Sequence, residues 1–249
     1  IEHDIIFLDY LSDYIHILYG EAGAYGIVSS SSSTRTGINN LIEGYLPTEN
    51  IKFRNNKIQF NVYSPPELNK ETPSVIEYDE FSKTYDNFNL KVSSGKILQG
   101  QVLGIIGGNA LGKTTFMKIL SGIEKSDQDN IETKIKISYK PQYLDSNYSD
   151  NVRNLLYSQG SRIEDETFNN EIILPLSINK IFEKNVNTLS TGELQKVAIA
   201  ICLMKDADIY ALDEPSAFID VEDRIVLARS VQKFIKSNNK SAIIIDHDI

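Results

Sequence analysis

Leu189-Ser190-Thr191-Gly192-Glu193-Leu194-Gln195 is the stretch whose reading decides the fold. Ser190 and Glu193 have the S-x-x-E spacing of a capping box, in which side chain and main chain exchange hydrogen bonds across the first turn of a helix. Val197, Ala198, Ile201 and Cys202 follow at helical spacing and give the next residues an apolar stripe. The pattern predicts a helix that starts here with its first amides and positive dipole end free to meet an anion. Taken alone, these seven residues read more plainly as an ordinary capped helix, because such boxes are common. Two further stretches, in fixed order along the chain, reverse that judgement.

The first is Gly107-Gly108-Asn109-Ala110-Leu111-Gly112-Lys113-Thr114, which fits G-x-x-x-x-G-K-[ST] between an apolar strand and a helix. In a phosphate loop of this kind the backbone amides from Gly107 to Thr115 cradle phosphates and Lys113 reaches the β- and γ-phosphates. The Thr114 hydroxyl serves Mg2+. Ala110 stands where such loops usually carry glycine, at a cost of about 1 kcal/mol if the position needs a positive φ. The second stretch is Ile209-Tyr210-Ala211-Leu212-Asp213-Glu214, an apolar strand ending in two carboxylates. Asp213 is the expected Mg2+ holder, and Glu214 is placed to polarise an attacking water as general base. Gln142, in Tyr139-Lys140-Pro141-Gln142, is a candidate ligand of Mg2+ and water. His247, after its own strand, is a candidate for the γ-phosphate and for holding Glu214. Tyr78 is the candidate for stacking on adenine, chosen from thirteen tyrosines.

Composition bounds the rest. The chain has 249 residues, 41% of them hydrophobic, enough for one large α/β domain plus pieces. No apolar run approaches a membrane span, and no basic segment followed by an apolar one suggests a signal peptide, so the compartment reads as cytoplasmic with no membrane partner. The single cysteine, Cys202, excludes an intramolecular disulfide or an iron–sulfur cluster within these residues, and its place on an apolar helix face predicts a buried thiol. A formal charge of −9 argues against indiscriminate nucleic-acid binding and leaves room for a local ribosome contact.

Along the chain, Ile1-Glu2-His3-Asp4-Ile5 and Ile245-Asp246-His247-Asp248-Ile249 resemble each other, and the pair reads as an internal repeat cut at the same point in each copy. Residues 1–26 are then expected to be the tail of a preceding domain, 27–73 a hinge with a small hairpin, and 74–249 a second domain truncated after His247. Residues 4–20 would fill the place of the piece that follows Ile249, within one chain or swapped in a homodimer. Residues 5–14 have a helical pattern, and Ile15–Tyr19 reads as a strand ended by Gly20. The serine run from Ser29 to Ser33, with Thr34 to Gly37, has linker composition. Ile51 and Phe53, then Ile58, Phe60 and Val62, suggest the hairpin around Asn55-Asn56. Phe88, Leu90 and Val92 alternate as a half-buried strand, and Val102–Ile106 is a continuous apolar run suited to the centre of a covered sheet. Residues from about Asp150 to Lys184 predict a helical subdomain. Strands alternating with helices imply a mostly parallel sheet.

These motifs resemble the ATP-binding-cassette (ABC) class, and a longer text narrows the likeness. Leu8–Asp13, Ala24-Tyr25-Gly26, Gly44-Tyr45-Leu46-Pro47-Thr48-Glu49-Asn50, Ser138–Gln142 and Asp213-Glu214-Pro215-Ser216-Ala217 resemble the ABC-E family, the RNase L inhibitor-type ribosome recycling ATPases. The Gly-Tyr-x-Pro-Thr-Glu-Asn stretch is the most specific, since transporters lack it. The resemblance implies a P-loop ABC ATPase fold, with a mostly parallel sheet and antiparallel and helical subdomains, preceded by a hinge that includes Arg35, Gly37 and Asn39. It implies ATP and Mg2+ as ligands and Ser216 to Asp220 as the loop joining two ATP sites. Ser190, Gly192 and Glu193 would serve the phosphate loop of an opposite, first nucleotide-binding domain, whose composite site His3 would share. Thr191 replaces the usual glycine, and Phe218-Ile219 the usual Tyr-Leu. The full-length protein is expected to carry iron–sulfur clusters and to bind the small ribosomal subunit, protein and rRNA, together with a release factor or pelota. A transporter ATPase subunit and a nucleotide-gated ribosome scaffold with little turnover are the alternatives.

Overall fold

Ile209–Asp213 is buried at all five positions, and the larger part of the molecule is organised around it. In the computed structural model this strand lies inside a four-stranded sheet ordered Val102–Ile105, Ser241–Ile245, Ile209–Asp213, Ile137–Lys140, with every pairing parallel. Residues 5–21, 24–54, 57–58, 72–128, 135–141 and 148–246 are described. Alternation along the central strand divides the packing. Tyr210 and Leu212 enter one apolar cluster, while Ile209 and Ala211 enter the other on the opposite face. A strand with apolar neighbours on both faces favours apolar residues, which explains the run Ile209–Leu212 ahead of Asp213.

The first cluster packs the helices Thr191–Met204 and Val221–Ser237 with a helical segment of short turns. That segment runs through Val152–Gln159, a π-helical stretch Asn169–Ile173 and a 3-10 turn Ile178–Ile181, as its strand-poor sequence predicts. Asn151 caps the first of these helices by accepting from the Asn154 amide at 2.8 Å. The second cluster packs the helix Lys113–Leu120 with antiparallel pairs, Ser74–Tyr78 on Gly95–Leu98 and, through Phe81, Phe81–Tyr85 on Phe88–Val92.

Two expectations for the larger part of the molecule change. Val102–Ile105 is not central: it is one of the two outer strands of the four described, and Val102 is 37% exposed. An apolar run of four residues does not distinguish edge from centre, because Gly104 in its middle contributes no side chain to pack. The helix from Thr191 carries more than a stripe. Val197 to Ala200 and Cys202 to Met204 are all buried, since the helix touches the strands Ile137–Lys140 and Ile209–Asp213 as well as Val152–Gln159 and Ile178–Ile181. Cys202 is a buried free thiol, as expected, beside the Ser138 hydroxyl at 3.3 Å.

The chain divides into two units, Ile1–Pro66 and Glu67–Ile249. In the first, a helix Ile5–Leu11 ends three residues earlier than its pattern suggests. The strand expected at residues 15–19 is split: Tyr14–Ile15 pairs with Ser32–Ser33 and Leu18–Glu21 with Tyr25–Val28. Both of these pairings lie within the first unit. The serine run is ordered. Buried Ser29 accepts the Ile17 amide on its hydroxyl at 2.8 Å, and Thr34–Glu43 is a helix. Gly37 sits inside that helix because a Cβ there would lie 2.4 Å from the Ile15 side chain.

Gly44 ends the helix in the left-handed conformation, φ 70°, its amide donating to Asn40 O at 2.8 Å. The Arg54 guanidinium donates to the terminal carbonyls of Leu41 and Ile42. Tyr45–Leu46 then pairs with Ile51–Lys52 across a turn in which the Tyr45 hydroxyl donates to Asn50 Oδ1 at 2.8 Å. The described partner of Ile51 is therefore Leu46. Asn55, Asn56, Phe60 and Val62 of the expected hairpin lie outside the described residues.

Candidate functional site

The phosphate loop is delivered by the strand Val102–Ile105 and leads into the helix Lys113–Leu120. Two of its residues have left-handed backbones, Ala110 at φ 60° and Gly112 at φ 92°. The condition attached to Ala110 is thus met, and alanine carries the strain there. Gly112 has a second reason to lack a side chain: a Cβ would stand 2.9 Å from Phe88 Cζ. The Lys113 ammonium folds over the loop and donates to the carbonyls of Gly107 at 2.6 Å and Gly108 at 2.8 Å.

A cavity of about 440 Å³ lies over this loop, lined by Phe88, residues 109–115 and Glu214. It brings together Asn109, Ala110, Leu111, Gly112, Lys113, Thr114 and Thr115 with the acid at the end of the central strand. Tyr78 does not line it. Its ring meets Phe81 and Phe116 edge-on at 6.1 and 5.9 Å, and its burial raises the phenol's pKa. The aromatic that faces the cavity is Phe88, stacked with Tyr85 at 6.4 Å. Its position at the start of a hairpin strand, close before the loop, is the signal that could have found it.

Asp213 is fully buried. The Tyr139 hydroxyl donates to its Oδ2 at 3.1 Å, while its Oδ1 has no hydrogen-bond partner among the described residues. Burial, then the Asp213 charge and hydrogen bond, hold the Tyr139 phenol protonated. A buried, unmatched carboxylate oxygen is costly unless a cation completes it. With the Thr114 hydroxyl on the cavity wall, the donors are hard oxygens of the kind Mg2+ takes. No group of three or more His, Cys, Asp or Glu side chains suited to a metal occurs among the described residues.

Glu214 has φ 47°, and its amide donates to Ile245 O at 2.8 Å. Lys140, only 1% exposed, donates to Asp213 O at 2.8 Å and approaches Glu214 O at 3.4 Å. Burial pulls its ammonium down to about 8 against the opposing pull of Asp213. Sequence reasoning missed Lys140, whose burial depends on the register that sets it beside Leu212.

At Leu189–Gln195 the capping box is present. The Ser190 hydroxyl accepts the Glu193 amide at 3.2 Å, and Glu193 Oε2 accepts the Ser190 amide at 2.9 Å. Burial raises the Glu193 pKa, but the 2.8 Å bond from Lys184 and the Ser190 amide outweigh it and leave the carboxyl below its ordinary value. Thr191 is exposed. Gly192 is the tight position, for a Cβ there would lie 2.7 Å from the main-chain oxygen of Phe218. Phe218 is itself left-handed, φ 61°, and 66% exposed, while the Ser216 hydroxyl donates to Asp246 Oδ1 at 2.8 Å. Gln142, His247 and His3 lie outside the described residues. No helix among those described is long and apolar enough to cross a membrane.

Residues 90–217 match the ABC transporter family. Over its full length the chain is 47% identical to an uncharacterized ABC transporter ATP-binding protein of Methanocaldococcus jannaschii, of which it spans 42%. ABC transporter E family member 3 of Arabidopsis thaliana is 35% identical over 66% of the chain, and the match takes in 95% of that protein. A model of ribosome-bound archaeal Pelota and ABCE1 superposes with a TM-score of 0.92 at 44% identity, covering 99% of this chain and 42% of that one. The archaeal ribosome recycling factor aABCE1, crystallised with the ribosomal stalk protein aP1, superposes with a TM-score of 0.85 at 43% identity, covering 99% and 48%.

Proposed function

Since the chain belongs to the ABC-E family of ATP-binding-cassette ATPases, the RNase L inhibitor type, we propose that it is the ATP-hydrolysing part of a protein that splits ribosomes. The observation that carries the ATP-hydrolysing part of this reading is the cavity that Lys113, Glu214 and Phe88 line together. Lys113 leaves the Gly107 and Gly108 carbonyls for the β- and γ-phosphates, a better partner for an ammonium than neutral oxygens. Amides of the loop and the start of the helix Lys113–Leu120 receive the remaining phosphate charge. Phe88, with Tyr85 behind it, offers the base a flat apolar surface in place of Tyr78.

Thr114 and Asp213, with Gln142, would hold Mg2+, which when bound neutralises phosphate charge. Glu214 orients the attacking water and accepts its proton, and His247 steadies Glu214. Ser190, Gly192 and Glu193 present their helix start to the nucleotide of a facing cassette, the first nucleotide-binding domain of the same protein. Residues 27–73 act as the hinge between the two. Closure on ATP and opening after hydrolysis would then act on the small ribosomal subunit together with a release factor or pelota. The recycling names of the long relatives support the partner, and the identity spanning the whole chain supports the comparison.

The test uses the intact protein. Glu214→Gln is expected to lower kcat by about 100-fold or more with ATP affinity nearly kept, as loss of a general base does. The variant should also accumulate on small subunits when ATP is present. Normal turnover of the variant, or its release from ribosomes at the wild-type rate, would sink the reading.

A further inference from the structure

Lys140 is the one buried lysine or arginine among the described residues. It ends the strand Ile137–Lys140 in parallel register with Leu212, one residue short of Asp213. From there its ammonium meets Asp213 O at 2.8 Å and Glu214 O at 3.4 Å. These two carbonyls belong to the peptide groups on either side of the Glu214 Cα. One side chain therefore reaches both peptide planes whose rotation defines the backbone of Glu214.

That backbone needs holding. At φ 47° Glu214 occupies a conformation unfavourable for an L residue with a side chain, and such residues persist only where their surroundings over-determine them. The Ile245 carbonyl fixes the amide side at 2.8 Å. Lys140 fixes both carbonyls. A buried ammonium is a poor device for stability alone, since an apolar side chain of the same length would fill the space without being stripped of water.

We propose that Lys140 is a positioning residue for Glu214: by holding the peptide groups on both sides, it aims the carboxylate into the cavity that Glu214 lines. This deepens, and rests on, the assignment of Glu214 as general base. Lys140 itself touches no reacting atom. Its contribution is directional, because a change in φ or ψ at Glu214 swings the whole Cα–Cβ stem.

Lys140→Met removes the charge and keeps the length; Lys140→Gln keeps one donor. Both are made in the intact protein beside Glu214→Gln, and kcat, KM, MgATP affinity and thermal melting are measured. For Lys140→Met the expected result is a kcat lowered about tenfold or more with KM changed less than about threefold, the split that misplacement of a reacting group produces. Lys140→Gln should fall between that variant and wild type. Wild-type kcat in either folded variant overturns the proposal. So does a loss of MgATP affinity in step with kcat, or failure of both to fold, since each makes Lys140 a core anchor. If Glu214→Gln silences hydrolysis while both Lys140 variants turn over normally, only the positioning role fails. If Glu214→Gln itself turns over normally, the underlying reading has failed.

Discussion

Ala110 and Gly112 have left-handed backbones two residues apart, and a Cβ at Gly112 would also be crowded by Phe88. Gly112→Ala is expected to cost on the order of 1–2 kcal/mol from backbone strain. It should also weaken nucleotide binding by pushing Phe88 from the cavity, as titration with a nucleotide analogue would report. An unchanged affinity would mean that Phe88 does not shape the binding space. Cys202 offers a second test. Burial lifts its thiol from 9.0 to about 11, so the protonated form's stabilisation is complete below pH 9.0 and is lost as pH rises through about 11. Between about pH 8 and pH 11 the wild type should lose on the order of 2 kcal/mol more unfolding free energy than Cys202→Ala. Chemical denaturation at both values measures the difference. At this scale, residues whose role comes from local spacing were legible, as with Ser190 and Glu193. Phe88 and Lys140 were not, because what they face depends on strands distant in sequence.

Among the elements, the helix Thr34–Glu43 was hidden by composition. Ile38, Leu41 and Ile42 have helical spacing and Gly44 is a stop signal, but the preceding serines and Gly37 read as linker. Gly37 exists for Ile15, which makes a double-mutant cycle informative. Gly37→Ala should gain about 1 kcal/mol of helix propensity. It should nevertheless destabilise the protein, because the new Cβ meets Ile15 at 2.4 Å. In an Ile15→Ala background the same substitution should become neutral or stabilising, and additive effects in melting experiments would refute the packing argument. The edge position of Val102–Ile105 was illegible for a related reason. An apolar run reports that a strand is covered, and its place in the order is set by the crossovers.

Across the whole molecule, the two apolar clusters share one sheet, so strand position predicts cost. Leu212→Ala, in the central strand, is expected to lose about 2–5 kcal/mol, whereas Val102→Ala at the exposed end should lose less than about 1 kcal/mol. Equal losses, measured by denaturant unfolding, would contradict the observed strand order. The chain spans 42% of its Methanocaldococcus jannaschii relative. A Cβ added at Gly192 would lie 2.7 Å from the Phe218 carbonyl oxygen, and Phe218 stands four residues beyond Glu214. The two left-handed residues, Glu214 and Phe218, bracket that short run. A side chain at position 192 would therefore have to displace the main chain of the short run that begins at the acid.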